Sequence, residues 1–302
     1  MGRPKGAKNK LYDLGNGMLG TKCMLTRQPV IPPPAGQVKS DDEILTEIKD
    51  RFGVMSILVD GAIEGNIRAL LISGASGVGK SYMILKKLQS ARTFDETRFE
   101  IISGGISAIN LYKLGYKMRH PGSVIVLDDS DKIIKDIEGL AILKALCDSG
   151  QFRTVHWLKE SAALIDDDGN PIETSYEFEG TMVFVTNYNI QKLAEEDKNA
   201  FASQLKALSD RALYLDLLIH DRSQLAVWVN HVASSSNLFE EQEVSPAQGA
   251  QILQYINDHR DTLRDLSLRT VTKSCDLMKT VARVGTVTFE QLANTTLIRR
   301  TP

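Results

Sequence analysis

The run Gly74-Ala75-Ser76-Gly77-Val78-Gly79-Lys80-Ser81 combines residue types that a polyphosphate needs. Its glycines let successive backbone N–H groups turn toward one point, because no Cβ stands in the way. Lys80 adds a compact positive charge that can reach terminal phosphates, and the Ser81 hydroxyl is a hard oxygen suited to Mg²⁺. The other reading is a glycine-rich turn with a surface lysine. About 50 residues on, Val124-Ile125-Val126-Leu127 runs directly into Asp128 and Asp129. An apolar strand ending in two carboxylates can hold a metal ion through water with the first and orient an attacking water with the second. Asp131 is a weaker third candidate. A plain Asp-rich turn capping the next helix is the competing reading.

These groups act together only if strands and helices bring them together. Short Val-, Ile- and Leu-rich runs predict strands at 68–73, 99–102, 123–127, 181–186 and 212–217, as expected for strands covered on both faces. Helical stretches are expected at about 80–91, 106–118, 136–148 and 190–209. Such alternation predicts a parallel sheet with helices on both sides. Ser40-Asp41-Asp42-Glu43 has the form of a helix start, and one or two helices are expected to follow it to about Glu64. From about Asp221 the pattern becomes purely helical, with candidates at 222–233, 246–263, 267–282 and 288–295. The expected organisation is a basic arm over 1–39, an α/β core over 40–221 and a small all-helical region over 222–302.

Composition bounds the alternatives. The chain has 302 residues, 42% hydrophobic and 25% charged, which excludes disorder from end to end. Cys23, Cys147 and Cys275 lie far apart and offer no zinc site or disulfide framework, so a reducing cytoplasm is expected. No apolar run approaches the ~18 residues that a membrane helix needs, and no membrane partner is expected. The net charge of −2 hides an asymmetry: the arm carries seven basic residues against Asp13 alone. Gly2-Arg3-Pro4-Lys5-Gly6, followed by Lys8 and Lys10, is similar to an AT-hook core, and Arg in a narrow minor groove has a sound electrostatic basis. A solvated tail remains the bland alternative.

With the phosphate loop and acidic strand in this order, the chain resembles the AAA+ P-loop ATPases. The resemblance covers about residues 41–295 and implies ATP and Mg²⁺ as cofactors, with Mg²⁺ at Ser81 and Asp128 and catalysis beside Asp129. It implies further roles. Thr186-Asn187, ending the fourth strand of the core, takes the place of sensor 1, whose polar side chain helps hold the attacking water. Arg211, in Ser209-Asp210-Arg211, takes the place of an arginine finger that completes a neighbouring subunit's site. Arg269, at the start of a later helix, takes the place of sensor 2. Asp129 stands where the family usually carries Glu, which puts fast hydrolysis in doubt.

Between the two acids and Asn187, Asp168-Gly169-Asn170-Pro171 is a hairpin signal. Ile172, Thr174, Tyr176 and Phe178 alternate with Glu173, Ser175, Glu177 and Glu179, a strand period with one dry face. A hairpin here resembles the pre-sensor-1 insertion of one AAA+ branch, which implies that Arg153, His156 and Lys159 track DNA inside a ring. Lys113, Lys117, Arg119 and His120 are candidates for a second inner loop. A superfamily-three helicase would lack the helical region, so a bacterial or phage-type ATPase is favoured. The expected activity is ATP hydrolysis driving a motor or switch on DNA, as a homo-oligomeric ring, hexameric by analogy. The alternative is an ATPase that remodels a protein partner.

Overall fold

The computed structural model describes residues 39–94, 98–159, 164–166, 168–189, 206–217, 219 and 221–299. The arm residues Arg3, Lys5, Lys8 and Lys10, and most of the helix expected at 190–209, lie outside the described residues. Residues Ser40–Pro302 form one compact unit.

Helix α1 (Asp41–Ile63) is a single helix, started by a complete capping box between Ser40 and Glu43. Five parallel strands follow, interleaved with helices: β1 (Ala69–Ser73), α2 (Lys80–Phe94), β2 (Arg98–Ser103), α3 (Ala108–Lys117) and β3 (Ser123–Asp128). Helices α4 (Lys132–Lys135) and α5 (Ile137–Leu146) precede a small antiparallel pair, β4 (Thr154–His156) and β5 (Ser175–Glu177). Strands β6 (Thr181–Thr186) and β7 (Leu213–Asp216) complete the main sheet, whose order is β2-β3-β6-β1-β7. Helices α6 (Arg222–Ser235), α7 (Leu238–Glu241), α8 (Pro246–Asp258), α9 (Leu268–Val284) and α10 (Phe289–Thr296) follow. The expected five-stranded parallel sheet and the helical C-terminal region are both present.

The sheet is covered on both faces, and the period of two shows which residue faces where. Leu71, Ile125, Leu127, Met182 and Phe184 pack with α3, α5 and the β4–β5 pair. Their chain neighbours Leu70, Ile72, Val124, Val126, Val183 and Val185 pack on the other side with α1, α2 and Trp228 of α6. A third apolar cluster draws only on residues from Leu225 onward and holds α6 to α10 together.

The β4–β5 hairpin is fastened to the core. Val155, Trp157, Ile172, Tyr176 and Phe178 are buried, while Thr174, expected on the dry face, is exposed. The Tyr176 hydroxyl donates to the Tyr112 carbonyl at 2.9 Å, and its oxygen lies where a Cβ on Gly115 would stand, so α3 needs glycine there.

Sheet order decides what meets what. Because β6 enters between β1 and β3, Ser73, Thr186 and Asp128 end adjacent strands at one edge: Ser73 pairs with Thr186 in register, and Asp128 with Val185. In open parallel sheets this carboxyl edge is where ligands bind.

Candidate functional site

The phosphate loop leaves β1 and turns into α2. Gly77 and Gly79 have φ of 70° and 103°, a region that L side chains rarely adopt. A Cβ on Gly77 would also meet Ser267 at 2.7 Å, so glycine is required twice over. Lys80 is 5% exposed. Its Nζ donates to the carbonyls of Gly74 and Ala75, both at 2.7 Å, and to Asn187 Oδ1 at 3.0 Å. Desolvation lowers its pKa to about 8, although Asp129 and Asp128 act to raise it.

Ser81 Oγ donates to Asp128 Oδ1 at 2.8 Å. Burial raises the Asp128 pKa, against the lowering effect of that hydrogen bond. A hydroxyl and a carboxylate side by side at the foot of the glycine cradle fit Mg²⁺. That ion uses one or two protein oxygens and takes the rest from phosphates and water. Among the described residues, no group of three or more His, Cys, Asp or Glu side chains gathers to hold an ion alone.

Asp129 has a left-handed backbone, φ 52°, unusual for a non-glycine residue. The turn directs its carboxylate along the sheet edge, where Asn187 Nδ2 donates to Oδ1 at 2.6 Å. Arg269, from the first turn of α9, stands 3.9 Å from Asp129 and donates to Ser76 Oγ at 2.9 Å. One cleft of about 360 Å³ is lined by Gly77, Gly79, Lys80, Ser81, Asp129, Asn187 and Arg269 at one end. Tyr82, Val232, Ser236, Asn237, Leu238, Glu241, Leu268 and Thr272 line the rest of it. Thus the loop, both acids, Asn187 and Arg269, proposed from separate stretches of sequence, converge on one place.

The helical region grips the loop directly. Leu268 N donates to the Gly77 carbonyl at 2.9 Å, and Trp228 Nε1 donates to the Val78 carbonyl at 2.8 Å. Trp228 also stacks on Phe52 of α1, with centroids 4.3 Å apart. Sequence reasoning missed Trp228: a tryptophan on an amphipathic helix carries no local mark of a distant backbone partner. It also missed the support of the 186–189 turn. Thr186 Oγ1 donates to Asp131 Oδ1 at 2.6 Å, and Asn189 Nδ2 donates to Asp216 Oδ2 at 2.9 Å.

One expectation needs correction. Arg153 does not reach outward to nucleic acid. It is 5% exposed and donates to the carbonyls of Leu146 at 3.1 Å and Gly180 at 2.6 Å, with its guanidinium 4.8 Å from the Phe178 ring centre. Burial lowers its pKa to about 10, and it serves as the bolt between hairpin and core. Lys159 is exposed but paired with Glu138. His156 is exposed and lies opposite Ser175 in the hairpin, and Glu173, Glu177 and Glu179 are exposed as well. Arg119 lies over the Tyr116 ring at 3.9 Å, and Lys117 pairs with Glu100 at 2.9 Å. Arg211 is not among the cleft residues; it pairs with Asp148 at 3.2 Å and donates to the Ala207 carbonyl at 2.6 Å.

Comparison with known proteins gives one close sequence relative and several distant structural ones. The chain is 36% identical over 243 residues to an uncharacterised 36.7 kDa protein of the nrdC–mobD intergenic region of Enterobacteria phage T4. That match covers 80% of this chain and 73% of the T4 protein. No protein-family model matches. Among solved structures, domain III of the Thermotoga maritima replication initiation protein DnaA has a TM-score of 0.47 at 14% identity, covering 87% of this chain and 95% of that one. NtrX from Brucella abortus in complex with ATP has a TM-score of 0.45 at 12% identity, covering 88% and 57%.

Proposed function

We infer that this chain, which belongs to the family of that T4 protein and is an AAA+ P-loop ATPase in fold, hydrolyses ATP with Mg²⁺ and works on DNA as a homo-oligomeric ring. The observation that carries the reading is the continuous network Lys80–Asn187–Asp129–Arg269 beside the Ser81–Asp128 pair. It supports the reading because a cation, an amide–carboxylate pair and a second cation from a distant segment stand together in one cleft.

In this reading the loop amides bind the phosphates, and the Lys80 ammonium exchanges the Gly74 and Ala75 carbonyls for phosphate oxygens. Ser81 and Asp128 would hold Mg²⁺, which would supply positive charge against the phosphates. Asp129 and Asn187 fix the attacking water, with Asp129 receiving its proton. Arg269 answers the negative charge from the lid side. Arg211, outside its own cleft, is assigned to the site of an adjoining copy. Residues 40–221 are proposed as the ATPase core, 222–302 as its lid and 1–39 as a DNA-contacting arm. Phage replication or genome handling, as a helicase, helicase loader or DNA translocase in the host cytoplasm, is the proposed setting. The T4 relative is a phage protein.

A second reading, remodelling of a protein partner, is favoured by the hairpin. Its arginine is buried and its outer strand residues are acidic, while Leu158 is 84% exposed and Ile137, next to the residue that Lys159 pairs with, is 73% exposed. Steady-state ATP hydrolysis with and without single- and double-stranded DNA separates the two. Stimulation by DNA supports the first reading; indifference to DNA in an active ATPase supports the second.

A further inference from the structure

Asn187 uses both ends of its amide at once. Oδ1 accepts from Lys80 at 3.0 Å and Nδ2 donates to Asp129 at 2.6 Å. An amide can do this in only one of its two flipped orientations, so the turn that carries it must be held closely. That turn, 186–189, starts at Thr186, the last residue of β6, at the open edge of the sheet. Two carboxylates accept hydrogen bonds from side chains at its two ends.

On one side, Asp131 follows β3 and accepts the Thr186 hydroxyl at 2.6 Å, while Thr186 Oγ1 accepts the Tyr188 N–H at 3.0 Å. Asp131, Thr186 and Tyr188 therefore form one chain of hydrogen bonds that closes around Asn187. On the other side, Asp216 ends β7 and accepts from Asn189 Nδ2 at 2.9 Å. Asp216 is itself fixed. It lies opposite Ser73 in register, the following Leu217 N donates to the Ser73 carbonyl at 2.9 Å, and Arg51 of α1 donates to the Asp216 carbonyl at 2.9 Å. One carboxylate thus follows β3, the neighbour of β6, and the other ends β7, which lies beyond β1 on the opposite side, and the turn is bonded at its first and last residues. Neither carboxylate is among the residues that line the cleft.

We propose that Asp131 and Asp216 are positioning residues, which clamp the 186–189 turn from opposite sides and thereby hold Asn187 in register with Lys80 and Asp129. The proposal rests on the ATPase reading above. It predicts a turnover defect with nucleotide affinity largely intact, because misplacement of a water-holding group by about 1 Å can cost up to about 100-fold in rate.

The test uses full-length Asp131→Ala, Asp131→Asn, Asp216→Ala, Asp216→Asn and Thr186→Ser. Each has its kcat for ATP, its Kd for a non-hydrolysable analogue, and the hydrogen exchange of the 186–189 amides recorded. Thermal melts confirm folding. The two Ala variants should lose at least about tenfold in kcat, keep Kd within about threefold, and exchange faster over 186–189. The two Asn variants retain an acceptor oxygen, and Thr186→Ser retains the hydroxyl; all three should recover most of the rate. Unchanged exchange in both Ala variants overturns the clamp whatever the rates do. Faster exchange with unchanged kcat overturns its role in turnover. If the wild type hydrolyses no nucleotide, the ATPase reading fails and the turnover role falls with it, while the exchange data still report whether the carboxylates hold the turn. Should Asp216→Ala fail to fold, Asn189→Ala removes the donor to Asp216 and gives the same readout; should Asp131→Ala fail, Thr186→Val removes the donor to Asp131.

Discussion

The buried Lys80 ammonium is under opposing forces: desolvation favours the neutral amine, and Asp129 and Asp128 favour the charged one. Desolvation wins, and the pKa falls to about 8. Phosphate oxygens bind the charged form, so ATP binding should be strong below about pH 8 and weaken by about tenfold per unit as pH rises above it. For the free protein the sign is opposite. The unfolded chain keeps its proton up to the ordinary lysine pKa, so between about 8 and 10.5 the folded state gains stability with pH. Titration calorimetry at several pH values checks the first statement; a Kd flat to pH 9.5 would contradict it. Arg153 belongs to the same scale. Its replacement by Ala leaves two buried carbonyls without a donor and should cost about 3 kcal/mol or more in urea unfolding. Binding of DNA by the folded fraction should not change. The two residues show what spacing conveys and what it does not. Lys80 is legible because its role is tied to eight consecutive residues. Arg153 is one of several cations near a hairpin, and only packing reveals that it faces inward.

At the scale of elements, the strands were legible because burial on both faces forces unbroken apolar runs, as at 69–72, 124–127 and 182–185. A helix start was legible where a cap marks it, at Ser40, which closes a capping box with Glu43. The order of the strands was not, since nothing local says that β6 enters between β1 and β3. Yet that insertion brings Asn187 to Lys80. The grip of α6 and α9 on the phosphate loop was equally hidden. It leads to a prediction. Trp228→Phe keeps the stacking on Phe52 but leaves the Val78 carbonyl without its donor, and should destabilise the protein by about 1–3 kcal/mol with an unchanged urea m-value. The chain has two tryptophans, so Trp157→Phe leaves Trp228 as a lone fluorophore against the loop. Its emission should shift when nucleotide is added; an emission insensitive to saturating nucleotide would mean that the loop and the helical region do not respond together.

For the whole molecule, the central question is whether copies complete one another. Arg211 lies outside its own cleft, paired with Asp148. If it serves a neighbour, Arg211→Ala should bind ATP normally and fail to hydrolyse it. Mixing it with Lys80→Ala protein should restore part of the activity at hybrid interfaces, and no recovery at any ratio would argue against a shared site. Removal of residues 1–39, with their seven basic side chains, should weaken DNA binding and flatten its dependence on salt, since each lost phosphate contact lowers the slope by about one. An unchanged slope would place the arm elsewhere. All of these depend on chemistry at the sheet edge. It is tested most directly by ATP hydrolysis, measured side by side for the wild type and for Asp129→Asn, which keeps the shape of the side chain and removes its charge. The wild type should turn over and the variant should lose at least about 100-fold. Equal rates in the two proteins, or no hydrolysis by either, would contradict the account.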